Sequence, residues 1–174
     1  SNLSSTRALR DVTLKHGGAY YAAAVGEVNV VTKMKEVAAV IGGEGNGGVI
    51  YPASHYGRDA LVGVALLLSH LAKMGKKIST YRAELPQYYM SKNKITLTPD
   101  LDIDGLLAAM QVKYAAENHS TIDGLKIDFD TEWVHLRRSN TEPIIRIYSE
   151  GPTPEAAEAI AKKIMDEMQQ IIAG

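Results

Sequence analysis

The spacing of apolar residues changes several times along the chain, and each change marks an element. Residues 6–16 place Leu9, Val12 and His16 on one helical face before Gly17-Gly18 stops the pattern. A strand-like run covers 19–25, and beyond Gly26 residues 27–37 read as an amphipathic helix. Val37 to Ile41 is a small continuous apolar run of the buried-strand type. The glycine-rich segment 42–48 joins it to Val49-Ile50-Tyr51, a strand stopped by Pro52. Residues 60–74 predict a long apolar helix, opened by Asp59 and closed by Gly75. Residues 76–86 are polar and irregular, and 87–97 are strand-like again.

The second half has a different rhythm. Asp100, Asp102 and Asp104 gather at the start of a predicted helix over 103–116, where negative charge is favoured. The spacing of these aspartates invites a calcium-loop reading. Gln111 stands where the closing Glu ligand is needed, and Thr98-Pro99 precedes the loop where a helix should, so that reading is rejected. Residues 118–121 form a loop, 122–129 a strand interrupted by Gly124, and 132–137 and 144–148 two strands of a hairpin. Gly151-Pro152-Thr153-Pro154 breaks the chain, with Thr153 capping and Pro154 opening a helix over 155–172. Its apolar stripe is Ala156, Ile160, Ile164, Met168 and Ile171. The expected fold class is α/β plus α+β. A mixed-sheet α/β domain over residues 1–97 precedes a small antiparallel-sheet domain, with helices on one face, over 98–174.

Composition narrows the function classes. The chain has 174 residues, 45% of them hydrophobic, and a formal net charge of −1, with both signs interspersed. That is enough for one sizeable or two small domains, and it argues for no nucleic-acid and no membrane-surface partner. With no cysteine there is neither a disulfide framework nor a thiolate metal site. His55 and His70 are isolated, so no metal site is expected. The run Leu61–Leu68 is too short to span a bilayer, and no signal pattern opens the chain; a soluble, cytoplasmic protein is expected.

Two stretches carry candidate chemistry. Gly43, Gly45 and Gly48 fit the dinucleotide fingerprint G-x-G-x-x-G, but that fingerprint must open a helix, and here a strand follows. The dinucleotide reading fails on that ground. A glycine-rich turn between strands instead lets a ligand approach backbone closely and projects Glu44 and Asn46 toward it. A carboxylate and a carboxamide suit vicinal sugar hydroxyls; a plain tight hairpin is the competing reading, and the residues alone leave both open. The second stretch is Arg137-Arg138-Ser139-Asn140-Thr141-Glu142-Pro143, between two strands. It packs two guanidinium groups, two hydroxyls and a carboxamide into five residues, the donor set a phosphate requires. The same residue types also serve an ordinary polar turn.

Arg137-x-Ser139-Asn140-Thr141-Glu142-Pro143 followed by Ile145-Arg146-Ile147-Tyr148 resembles the phosphate-binding loop in the last domain of the α-D-phosphohexomutases. These comprise the phosphoglucomutases, phosphomannomutases and phosphoglucosamine mutases. Upstream, Gly43-Glu44-x-x-Gly47 resembles the sugar-recognition loop of that family's third domain, with Asn46 in place of the usual Ser and Gly48 where His is common. The form of this loop is closer to archaeal-type phosphoglucosamine and phosphoglucomutases. Gly26 and Glu27 match a turn that selects the sugar's orientation, although Glu27 also reads as a first-turn helix carboxylate. Ser4 falls where several members carry a sugar-site Lys, which moves the expected cation elsewhere, with Arg7 as candidate.

The resemblance covers essentially the whole chain and implies the C-terminal half of a mutase, a reading its Ser-Asn start without Met also suggests. Such a mutase is an isomerase that interconverts hexose 1- and 6-phosphates by phosphoryl transfer. Arg137, Ser139, Asn140 and Thr141 would hold the non-reacting phosphate; Glu44, Asn46, Gly26 and Glu27 would contact the sugar. No catalytic residue is expected, because the family's phosphoserine loop and its Asp-Gly-Asp-x-Asp metal loop are not in this sequence. No cofactor is therefore expected in the chain, and magnesium only through domains of the full-length enzyme. The implied partners are a glucose, mannose or glucosamine phosphate and the N-terminal mutase domains. The alternatives are a stand-alone phosphosugar-binding module without mutase activity, or a remnant that binds nothing. Arg146 reads either as support for the loop or as the partner of a surface carboxylate.

Overall fold

A computed structural model describes residues 1–96, 101–139 and 142–173. The chain divides into two compact units, Ser1–Gln87 and Tyr88–Gly174.

In the first unit α1 (Arg7–Lys15) is opened by Thr6, whose hydroxyl accepts from Ala8 N–H at 3.3 Å. α2 (Glu27–Glu36) starts at Gly26, whose φ of 121° is open to glycine and not to residues with a Cβ. Three short strands follow: β1 (Gly42–Glu44), β2 (Gly48–Tyr51) and β3 (His55–Arg58). They pair antiparallel in the order β1-β2-β3, with a register shift between Ile50 and Tyr51. Parallel pairing enters at the bridge between Asn2 and Ala23. α3 (Ala60–Met74) runs between an Asp59 cap, accepting from Val62 N–H at 3.0 Å, and a left-handed Gly75. α4 (Ile78–Glu84) closes the unit. Ala23, Val30, Met34 and Ile50 form its small core.

Several elements differ from the sequence pattern. Residues 19–25 form no named strand; only Ala23 bridges. Val37–Ile41, expected as a buried strand, has Val40 79% exposed and lies outside the sheet, because no neighbouring strand takes up its backbone. α4 forms where an irregular stretch was expected. α3 is largely apolar, yet none of its residues is buried and Leu61 is 81% exposed.

In the second unit β4 (Tyr89–Thr96) comes first. α5 (Ile103–Lys113) is capped by Asp102, which accepts from Gly105 N–H at 2.9 Å, a helix-start role in place of the rejected calcium one. Then come β5 (Asn118–Ser120), β6 (Leu125–Asp128), β7 (Trp133–Arg138), β8 (Ile144–Gly151) and α6 (Pro154–Ala173). The sheet is antiparallel in the order β4-β8-β7-β6-β5. Its inward face (Leu125, Ile127, Val134, Leu136, Ile145, Ile147) packs on Leu106 and Met110 of α5 and on Ile164 and Met168 of α6.

The boundary expected at 97/98 falls after β4, whereas the compact units divide between Gln87 and Tyr88. β4 pairs along its whole length with β8, from Tyr89↔Gly151 to Thr96↔Ile144, so the second unit begins at Tyr88. Local alternation cannot reveal which sheet a strand joins; the partner does.

Candidate functional site

Each unit carries one of the two candidate stretches. In the first, Glu44 ends β1 at the tip of the β1–β2 hairpin, with its side chain only 5% exposed. Its Oε1 accepts from Asn2 Nδ2 at 3.0 Å and from Gly26 N–H at 3.1 Å. One carboxylate therefore fastens the hairpin to the chain start and to the head of α2, while Oε2 faces Arg58 Nη1 at 3.6 Å. Asn46 sits in the turn, its Oδ1 accepting from Gly48 N–H at 3.1 Å. Gly43 has its own reason to be glycine, since a Cβ there would stand 2.1 Å from the Gly48 carbonyl oxygen.

Glu27, on the first turn of α2, bonds Arg58 twice. Oε1 accepts from the Arg58 main-chain N–H at 3.0 Å and Oε2 from Nε at 2.8 Å. These contacts, the backbone N–H first and the guanidinium next, hold the Glu27 carboxyl below its ordinary value. Glu27 and Glu44 are thus linked through a residue that carries no motif, Arg58, with Gly26 bonded to Glu44 and Asn46 in the turn that follows Glu44. It directly precedes the Asp59 cap of α3, and the β2–β3 register brings it over the hairpin. Arg7, the alternative cation, is 6% exposed at the head of α1.

Close to the hairpin lies a groove of about 580 Å³ lined by Leu9, Tyr20, Met34, Val37 and Ile41 among others. Glu44 and the glycines of the hairpin line it as well, whereas Asn46 and Arg58 do not.

In the second unit the β7–β8 register sets Arg137 directly across from Arg146. Val134 and Leu136 point to the core, so Arg137 and Arg146 share the opposite face, and Lys94 of β4 stands next to Arg146 in the same row. Ser139 begins the loop, is 7% exposed and donates its N–H to the Ile144 carbonyl at 2.9 Å. Arg146 Nη2 reaches Ser139 Oγ at 3.5 Å and Glu142 Oε2 at 3.0 Å, so it both leans on the loop and pairs with a carboxylate. Arg137 Nε lies 3.8 Å from Asp123 Oδ2. Asn140 and Thr141, the other two expected phosphate ligands, lie outside the described residues.

Among the described residues no group of three or more His, Asp or Glu side chains could hold a metal ion. No helix among them is long and apolar enough to cross a membrane. His55 pairs with Asp59 at 3.0 Å, and His70 meets the Tyr81 ring edge-on at 4.9 Å.

Comparison with known proteins gives two consecutive matches. Residues 1–89 match the profile described as "Phosphoglucomutase/phosphomannomutase, alpha/beta/alpha domain III", and residues 95–167 the one described as "Phosphoglucomutase/phosphomannomutase, C-terminal domain". A phosphoglucomutase/phosphomannomutase of Thermococcus kodakarensis is 37% identical over 157 residues, which is 90% of this chain and 34% of the relative. A phosphoglucosamine/phosphogalactosamine mutase of Sulfurisphaera tokodaii is 34% identical over 86% of this chain and 32% of its own length. Among solved structures, a phosphoglucomutase/phosphomannomutase family protein of Burkholderia thailandensis superposes with a TM-score of 0.80 at 24% identity. It covers 98% of this chain and 36% of that one, and supports the fold alone. The chain thus spans about a third of the length of the curated relatives it matches.

Proposed function

The chain belongs to the phosphoglucomutase/phosphomannomutase family through that family's third and C-terminal domains, and we propose that it supplies sugar recognition and phosphate anchoring to a cytoplasmic hexose-phosphate mutase. The observation that carries this reading is the pair of guanidinium groups held opposite each other beside Ser139. Like charges directly across strands destabilise a sheet, so an arrangement of this kind suits an anion. A phosphate gathered by Arg137, Ser139, Asn140 and Thr141, with Arg146 behind the loop, would stay fixed while the other end of the hexose reacts. Remote binding energy is then used to orient the reacting end.

Glu44 and Asn46 would read the sugar hydroxyls. The Glu44 contacts to Asn2 and Gly26 leave Oε2 as the oxygen facing Arg58, which supports it as the oxygen a hydroxyl would meet. The phosphoryl transfer itself would belong to other parts of a mutase of the family's length. The stand-alone module has no observation in its favour, since the relatives named as mutases are about three times as long.

The test is an amide-shift titration of the labelled chain with glucose 1-phosphate, mannose 1-phosphate, glucosamine 6-phosphate and inorganic phosphate. All four should move residues 137–139, and only the sugars should move 43–48. Failure of every ligand at millimolar concentration would overturn the reading for this chain.

A further inference from the structure

Arg58 is a side chain of the first unit that no motif singles out, yet it contacts both Glu27 and Glu44. Its aliphatic stem lies over Gly48, where an added Cβ would stand 2.5 Å from Cδ, so a bare glycine is what lets the side chain cross the hairpin. Glu27 holds it at two points, the main-chain N–H and Nε, which fixes the plane of the guanidinium. The opposite edge then presents Nη1 to Glu44 Oε2 at 3.6 Å, beyond direct hydrogen-bond length. The Arg58 side chain is 47% exposed and that of Glu44 5%, so a ligand would approach the pair from the Arg58 side.

We propose that Arg58 is a substrate-contacting residue of the sugar site: Nη1 and Glu44 Oε2 form a donor–acceptor pair that reads one sugar hydroxyl, with Glu27 as the positioning residue that aims it. The inference rests on the reading of the hairpin as a sugar site. A hydroxyl can accept from the guanidinium and donate to the carboxylate at once, which closes the gap between them. An ammonium has donors only and would meet Arg58 as a like charge, so the pair selects a neutral hydroxyl at that position. Glu27 has both oxygens engaged by Arg58, and its effect on the sugar is therefore transmitted through Arg58. The same residue supplies the cation that Ser4 does not provide.

The experiment is an amide-shift titration of the 174-residue chain, wild type and variants, with glucose 1-phosphate and separately with inorganic phosphate. Arg58→Gln should weaken glucose 1-phosphate about tenfold, the usual worth of a charged hydrogen bond, and leave inorganic phosphate at 137–139 unchanged. Arg58→Lys should recover part of the affinity. Glu27→Gln should weaken the sugar phosphate less than Arg58→Gln, with inorganic phosphate again unmoved, a split that a general loss of structure would not give. Wild-type affinity in both Arg58 variants, with sugar-dependent shifts at 43–48 intact, would overturn the Arg58 assignment alone. Wild-type chain that responds at 137–139 but never at 43–48 would overturn the hairpin reading and this inference together.

Discussion

Arg137 and Arg146 stand directly across from one another on β7 and β8, on the sheet face turned away from the core. Their repulsion is offset by Asp123 on one side and Glu142 on the other, at 3.8 Å and 3.0 Å. The sheet therefore tolerates the pair without depending on it.

Replacing Arg137 should separate binding from stability. Arg137→Met is expected to abolish phosphate-dependent amide shifts at Ser139 while changing urea stability by no more than about 0.5 kcal/mol, since a like-charge pair is removed together with a weak ion pair. Parallel urea melts and phosphate titrations check this.

Glu44 should behave in the opposite way. Its carboxylate is nearly buried and receives donors from Asn2 and Gly26, so Glu44→Ala leaves two groups without their acceptor. A loss of about 1–3 kcal/mol is expected from urea unfolding followed at first-unit amides, with second-unit amides unaffected.

Gly48→Ala probes the corridor for Arg58. The new methyl must push the Arg58 stem aside, because a Cβ at that site would meet Cδ at 2.5 Å. Glucose 1-phosphate affinity should fall toward that of Arg58→Gln, with the hairpin still formed by amide hydrogen exchange.

His135 makes the second unit sensitive to acid. It is 1% exposed, with Nε2 2.6 Å from the Asp123 carbonyl oxygen. Burial, reinforced by Lys126 and Arg137 and only partly opposed by Asp123, holds its pKa below the ordinary 6.5. Above 6.5 both folded and unfolded chains carry neutral imidazole and nothing changes. As pH falls below 6.5 the unfolded chain takes up a proton that the folded one resists, so stability is lost until the lowered folded pKa is reached. The slope should approach about 1.4 kcal/mol per pH unit, and His135→Leu should flatten it in urea melts run between pH 7 and pH 5.

Where the chain spells out its own boundaries, sequence alone located the elements. α3 runs from an Asp cap to a left-handed glycine, and both are local chemistry. α6 announces itself by Thr153-Pro154 and an apolar stripe, and Thr153 Oγ1 does accept from Ala156 N–H at 3.1 Å. The strands of the β7–β8 hairpin were legible from alternation and branching. What failed depends on partners far away in sequence. Val37–Ile41 has a strand's composition but no neighbour in the sheet; β5 is Asn118-His119-Ser120, with no apolar alternation to reveal its pairing with β6. Of the candidate site, Glu44, Asn46, Arg137 and Ser139 stand out in the sequence by their motifs. Arg58 does not, because its role is created by a strand register and by the absence of a side chain at Gly48.

The long reach of β4 bears on how the second unit is made. Its partner strand β8 lies roughly fifty residues downstream, so closure of a long loop precedes the first β4 hydrogen bond, a slow kind of step in folding. During synthesis β4 leaves the ribosome early and waits unpaired until nearly all of its sheet has followed. Until it pairs, the β8 side of the sheet lacks its outer neighbour. In that interval the rest of the unit has an open strand edge and a ready template for self-association.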